Sequence, residues 1–239
     1  EQLTELLTEV RRPDGSPVRV ARMDADSTRL KGALEAQLDA LHSGEVDVLV
    51  GTQMVAKGHD FRRITLVASV NADAALFASD CRAPERLFAL LMQAAGRAGR
   101  DASLGSGSEM WVQTGYPQHP LFAALRQHDY PAFAAQELKD RDAAAMPPFA
   151  FQALVRAEAR SQETAQGFLN EAAALATELP GADQVTVFPA VPMTIQRVAN
   201  VERAQMLLES PTRVALQRFL AAWQPVLLDV RQGPAGKGL

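Results

Sequence analysis

A chain of 239 residues with 47% hydrophobic and 22% charged side chains has the composition of an ordinary folded protein, which excludes the disordered and fibrous classes. No apolar run approaches the roughly 18–20 residues that span a bilayer, and the opening Glu1-Gln-Leu-Thr-Glu5 lacks the basic start and apolar middle of a secretory signal. The single Cys81 excludes an internal disulfide or a cysteine-rich zinc site and fits a reducing cytoplasm, while His42, His59, His119 and His128 have no metal-ligand spacing.

The formal charge is −4, with 13 basic and 16 acidic side chains in residues 1–116 and 8 of each in residues 148–239. Neither part has the basic excess of a domain that binds nucleic acid through bulk charge. Any DNA contact must be local, made by a few cations and backbone amides.

In chain order, residues 1–10 read as a helix tail with Leu3, Leu6, Leu7 and Val10 on one stripe. A turn at Arg12-Pro-Asp-Gly-Ser-Pro17 precedes a short strand at 18–23. Asp26-Ser27-Thr28 caps a helix over 29–42, which His42-Ser-Gly44 stops. Residues 46–51 and 64–70 are nearly all apolar, as central parallel strands buried on both faces would be. Pro84 suits the first turn of a helix that runs to about Ala95. A glycine-rich loop around 99–107 and a last strand at 109–114 complete a domain expected over 1–116. The alternation argues an α/β layered fold with a mostly parallel sheet.

Residues 117–147 read as a helical connector of two short helices split near Pro131. Met146-Pro-Pro-Phe149 reads as an extended link, because a proline biases its predecessor away from the helical region. Over 148–239 the pattern is strand (150–158), helix (161–179), two strands near 184–195 and 203–208, helix (212–224) and strand (226–231). That βαββαβ order predicts a small α+β domain.

Two segments carry chemistry. Thr52-Gln-Met-Val-Ala-Lys-Gly58-His-Asp60 follows an apolar strand. There a threonine hydroxyl and amide can meet a phosphate, a glycine allows close backbone approach, and Asp60 can accept from a ribose hydroxyl. A plain polar exit from the strand, with a solvated lysine, reads the same residues equally well. In the second segment Gln93, Gly96, Arg97 and Arg100 lie at 0, +3, +4 and +7, one side of a helix at its C-terminal end. Phosphoryl transfer builds charge that an arginine from a neighbouring lobe can stabilise. Taken alone, the second segment is also what a glycine-capped helix end with two solvated arginines looks like. Together and in this order the two match the second RecA-like lobe of a superfamily 2 helicase. Gly233-Pro-Ala-Gly-Lys-Gly238 mimics a phosphate-binding loop, but no Ser or Thr follows the lysine, and it reads as a flexible tail. Neither a Gly-x4-Gly-Lys-Ser/Thr loop nor an acidic Asp-Glu-x-His box occurs in the sequence.

Arg22-Met-Asp-Ala-Asp-Ser-Thr28, the stretch from Gly51 to Phe61, Asp73-Ala-Ala-Leu-Phe-Ala-Ser-Asp80 and the stretch from Gln93 to Arg100 resemble the PriA family of bacterial primosomal helicases. Met146-Pro-Pro-Phe149 resembles that family's link into its C-terminal domain. The resemblance implies the C-terminal fragment of an ATP-dependent 3′→5′ DNA helicase of replication restart. Thr52, Gln53 and Lys57 would lie at the DNA, Gly58 and Asp60 at the nucleotide, and Gln93, Arg97 and Arg100 at the γ-phosphate. ATP and Mg would be held mostly by a first lobe outside this chain, and Zn only by a cysteine-rich insertion outside it; no metal is expected within it. The implied partners are forked and single-stranded DNA, single-stranded-DNA-binding protein and other primosome proteins, in the cytoplasm, with no membrane. The alternatives are a docking module for branched DNA or single-stranded-DNA-binding protein, and the second lobe of another superfamily 2 helicase. In the family the C-terminal domain's hairpin is rich in Arg and aromatic residues. Here 184–208 reads as offering Arg197 and Arg203 without a stacking ring, so weak DNA binding by 148–239 is expected.

Overall fold

The structure, a computed structural model, describes residues 2–23, 39–41, 43–52, 64–96 and 108–236. The chain divides into two compact units, Glu1–Phe133 and Ala134–Leu239.

The first unit opens with helix α1 (Gln2–Leu6) and, among the described residues, holds two parallel two-stranded ladders. Strand β1 (Val20–Met23) pairs with β2 (Val48–Gly51), Met23 opposite Gly51. Strand β3 (Leu66–Ser69) pairs with β4 (Glu109–Val112), Ser69 opposite Val112. The parallel pairing agrees with the sequence; the expected burial on both faces does not hold. Val48 and Leu49 are half-buried and Val50 is exposed, while Leu66 and Ala68 face solvent from β3. Alternation, rather than a continuous apolar run, describes how β3 packs.

Most of the helix expected over 29–42 lies outside the described residues, but its end is visible. Glu45 N–H donates to the Ala40 carbonyl at 2.9 Å and Gly44 N–H to the Leu41 carbonyl at 3.2 Å. This paired closure puts its C′ residue in the left-handed region, and Gly44 is there with φ 78°. Glycine takes that conformation without the cost that a Cβ brings.

Helices α2 (Ala72–Leu76) and α3 (Ala83–Ala95) pack together, and α3 also packs on β3 and β4. Residues Ala83, Leu87, Phe88 and Leu91 recur at helical spacing and form the buried stripe of α3. The helix α4 (Pro120–Arg126), expected within a connector, adds Leu121, Phe122 and Leu125 to this same core. Phe133, in the first turns of α5 (Tyr130–Ala143), stacks on Phe88 with centroids 4.3 Å apart. Each such side chain contributes about 1.5–3 kcal/mol on full burial.

The boundary between units falls within α5. Beyond it, Met146–Phe149 is a turn rather than the extended link that its prolines suggest. Phe149 N–H donates to the Met146 carbonyl at 2.9 Å, and the Pro147–Pro148 peptide is cis. The residue before a proline is kept out of the helix, but a tight turn satisfies that restriction as well as extension does.

Past this turn, the described residues of the second unit form a four-stranded antiparallel sheet with two helices packed on it. Strand β8 (Val201–Ser210) is central, flanked by β5 (Phe151–Ala159) on one side and by β6 (Thr186–Val187) and β7 (Val191–Val198) on the other. Ala204, Met206, Leu208 and Ser210 point to the buried face with period two, against α6 (Gln162–Ala176) and α7 (Arg213–Gln232). Ser161 and Thr212 cap these helices by accepting from Thr164 and Ala215 amides.

Residues 226–231, read as the closing strand, instead continue α7 through Pro225. An internal proline costs roughly 3 kcal/mol. The offset is packing: Leu216, Phe219, Trp223, Val226, Leu227 and Val230 all join the core at helical spacing. Residues 234–236 are not a loose tail either. They form a 3-10 turn in which a Cβ on Gly236 would overlap the backbone of Arg231. Only glycine fits there.

Candidate functional site

Of the positions singled out by sequence, Thr52 lies at the carboxyl end of a parallel strand, where open α/β sheets receive ligands. Thr52 is exposed immediately after β2. The entry to β2 is fixed by Asp47, whose carboxylate accepts from Arg12 Nε at 2.7 Å and from Arg19 N–H at 2.8 Å. The Arg12 guanidinium, and then the Arg19 amide, hold the Asp47 carboxyl below its ordinary value of 3.8. This clasp ties the 11–17 turn to the strand and so sets where Thr52 emerges.

Gln93 lies on α3, exposed on the side away from the buried stripe, one turn before Gly96. Gly96 N–H closes that helix on the Met92 carbonyl at 3.0 Å. Gln93 and Gly96 are thus both solvent-facing at this helix end. Gln53, Lys57, Gly58, Asp60, Arg97 and Arg100 lie outside the described residues. Among the described residues no hydrogen bond joins Thr52 to Gln93.

A polar cluster without a local signature in the sequence lies at the carboxyl ends of β3 and β4. Asp73, in the first turn of α2, accepts from the Thr114 hydroxyl and from Gly115 N–H at 2.8 Å. The Thr114 hydroxyl first, and the Gly115 amide second, hold its carboxyl below 3.8. Asn71, in the left-handed region with φ 56°, donates its N–H to Gln113 Oε1 at 3.2 Å. Asp73 belongs to a motif that the sequence flags, yet its partner is forty-one residues away. No local pattern reveals that pairing.

In the second unit both arginines offered for phosphate contact are already engaged. Arg203 Nε lies 3.0 Å from Glu158 Oε1, and Arg197 lies 3.6 Å from Glu202 while donating to Asn200 Oδ1 at 3.0 Å. The expectation of no ring over 184–208 needs correction. Phe188 is 38% exposed between β6 and β7 and donates its N–H to the Leu207 carbonyl at 2.9 Å. Among the described residues no group of three or more His, Cys, Asp or Glu is placed to hold a metal ion, and no helix is long and apolar enough to cross a membrane.

Comparison with known proteins adds two adjacent family matches. The helicase conserved C-terminal domain matches residues 2–102, and the primosomal protein N C-terminal domain matches residues 142–235. Among curated relatives, the replication restart protein PriA of Haemophilus influenzae is 43% identical over 88% of this chain and 28% of its own length. The proteins of that name from Synechocystis and Treponema pallidum are 38% and 36% identical, over 87% and 91% of this chain and 25% and 32% of theirs. The chain therefore spans about a quarter to a third of the length of these three relatives.

Proposed function

Because this chain belongs to the PriA family of replication restart proteins, with a helicase C-terminal domain followed by the family's own C-terminal domain, we propose that it is the second lobe and C-terminal domain of an ATP-dependent 3′→5′ DNA helicase that reloads the replisome at stalled forks. The observation that carries the proposal is the order of the two family matches on one chain.

In this reading Arg97 and Arg100 meet the γ-phosphate, with Gln93 beside them on the exposed end of α3. Arginine fits this role because charge develops on the equatorial oxygens during transfer, and a planar guanidinium meets them with paired donors. Gly58 and Asp60 approach the nucleotide, where a backbone without a Cβ and a ribose acceptor are useful. Thr52, Gln53 and Lys57 contact the DNA backbone, which the exposed position of Thr52 at a strand's carboxyl end supports. ATP and Mg are held mainly by a phosphate-binding loop of the first lobe, and Zn by a cysteine-rich insertion, neither supplied by this sequence. The partners are forked and single-stranded DNA, single-stranded-DNA-binding protein and other primosome proteins, in the cytoplasm. Because Arg197 and Arg203 are paired internally, the second unit reads better as a docking module for protein partners than as an independent DNA grip.

The test is DNA-stimulated ATP turnover by the purified 239-residue chain and by the longer protein that contains it. The longer protein should turn over ATP and the chain alone should not. Turnover by the chain alone would overturn the half-motor reading.

A further inference from the structure

Phe77 and Tyr116 leave the first unit side by side. Their ring centroids are 4.7 Å apart at 69°, yet the residues remain 57% and 54% exposed. Two large rings left this far in water give up most of the stabilisation that burial would bring.

They are nevertheless held. Phe77 closes α2, donating its N–H to the Asp73 carbonyl at 2.9 Å. Tyr116 donates its N–H to Thr114 Oγ1 at 2.9 Å, and the Thr114 hydroxyl in turn donates to the Asp73 carboxylate. Residue 73 thus meets the backbone beneath both rings, through its carbonyl under Phe77 and through its carboxylate beside Thr114 and Gly115. The pair stands just beyond the carboxyl ends of β3 and β4, where open parallel sheets receive ligands. Arg82, at the far end of the same α2–α3 loop, is exposed.

We propose that Phe77 and Tyr116 form a stacking platform for an unpaired base of single-stranded DNA, an inference that rests on the motor-lobe reading above. An edge-to-face pair leaves a ring face free, and every base has a π-face to lay on it. Stacking of this kind takes single strands of any sequence and not duplex, whose base faces are already covered. It also needs little net positive charge, which suits a unit with an acidic balance. The edge-to-face contact between the two rings lowers the ordering cost that a solitary exposed ring would incur on binding.

The experiment is fluorescence anisotropy of a labelled oligothymidylate with the 239-residue chain and with variants. Phe77→Ala and Tyr116→Ala should each weaken binding about tenfold, as loss of one base–ring stack does. Phe77→Trp and Tyr116→Phe, which keep a ring, should bind as the parent does, and duplex binding should not move. Photocrosslinking of a 5-iodouracil oligonucleotide to the unmutated chain, read by mass spectrometry, should map to Phe77 or Tyr116 and does not depend on any variant folding. Parent-like binding by both Ala variants, crosslinks mapping elsewhere, or equal loss on duplex would overturn the ring assignment while leaving the motor lobe intact. Failure of the parent to bind the oligonucleotide at all would count against the motor-lobe reading and carry the platform down with it.

Discussion

The Trp223 indole N–H donates to the Ala172 carbonyl at 2.9 Å, joining α7 to α6 in the dry centre of the second unit. Both residues have no measurable exposure. Trp223→Ala should destabilise this unit by about 3–5 kcal/mol through the cavity it leaves. Trp223→Phe keeps most of the volume and loses the hydrogen bond, worth about 1 kcal/mol. Amide exchange of α6 and β8 in the full chain should show that order of loss. Equal protection in both variants would mean that the core collapses around the gap.

The carboxylates of Asp73 and Asp47 have folded pKa values below their ordinary 3.8, through the Thr114 hydroxyl in one case and Arg12 in the other. A depressed folded pKa contributes stability that is present above 3.8 and is lost as pH falls through the lower, folded value. Asp73→Asn and Asp47→Asn should therefore lower the thermal midpoint at neutral pH and converge on the parent below that value. Thermal melts at pH 7 and in the acid range check this; a gap that persists in acid would assign the effect to hydrogen bonding alone.

Residues 134–239 alone should bind forked DNA weakly and without base preference. Arg197 and Arg203 each face a carboxylate, Glu202 and Glu158, which offsets part of the charge they could offer a phosphate. Log affinity should fall with log salt by about 0.9 for each phosphate contacted, so a shallow slope is expected. Titration at several salt concentrations decides it, and a slope implying six or more contacts would refute weak binding. Phe188 gives any residual affinity a ring to use.

What the sequence revealed depended on where packing agrees with local pattern. Helix α3 was legible because Pro84 and the Leu87, Phe88, Leu91 stripe agree with each other, and the parallel strands were legible from their apolar runs. The end of α7 was misread because Val226-Leu-Leu-Asp-Val230 after a proline looks like a strand until Trp223 and Phe219 supply the stripe it continues. The Asp73–Thr114 pairing stayed hidden because it closes across a long sequence separation that propensity does not see. Of the residues proposed for the motor, Thr52 is exposed at a strand end and Gln93 on the outer face of a helix. The roles of Arg97 and Arg100 rest on spacing and family membership, since both lie outside the described residues.

Those two arginines carry the central claim. The most direct measurement is the ATPase kinetics of the intact protein with Arg97→Ala, Arg100→Ala and the corresponding Lys substitutions, alongside equilibrium nucleotide binding. The account predicts that kcat falls by roughly a thousandfold or more for each Ala change while nucleotide affinity moves little, because the arginine acts on transition-state charge. Lys should rescue poorly, since an ammonium cannot reproduce the planar fork. Unchanged turnover, or a loss of nucleotide binding as large as the loss of kcat, would contradict it.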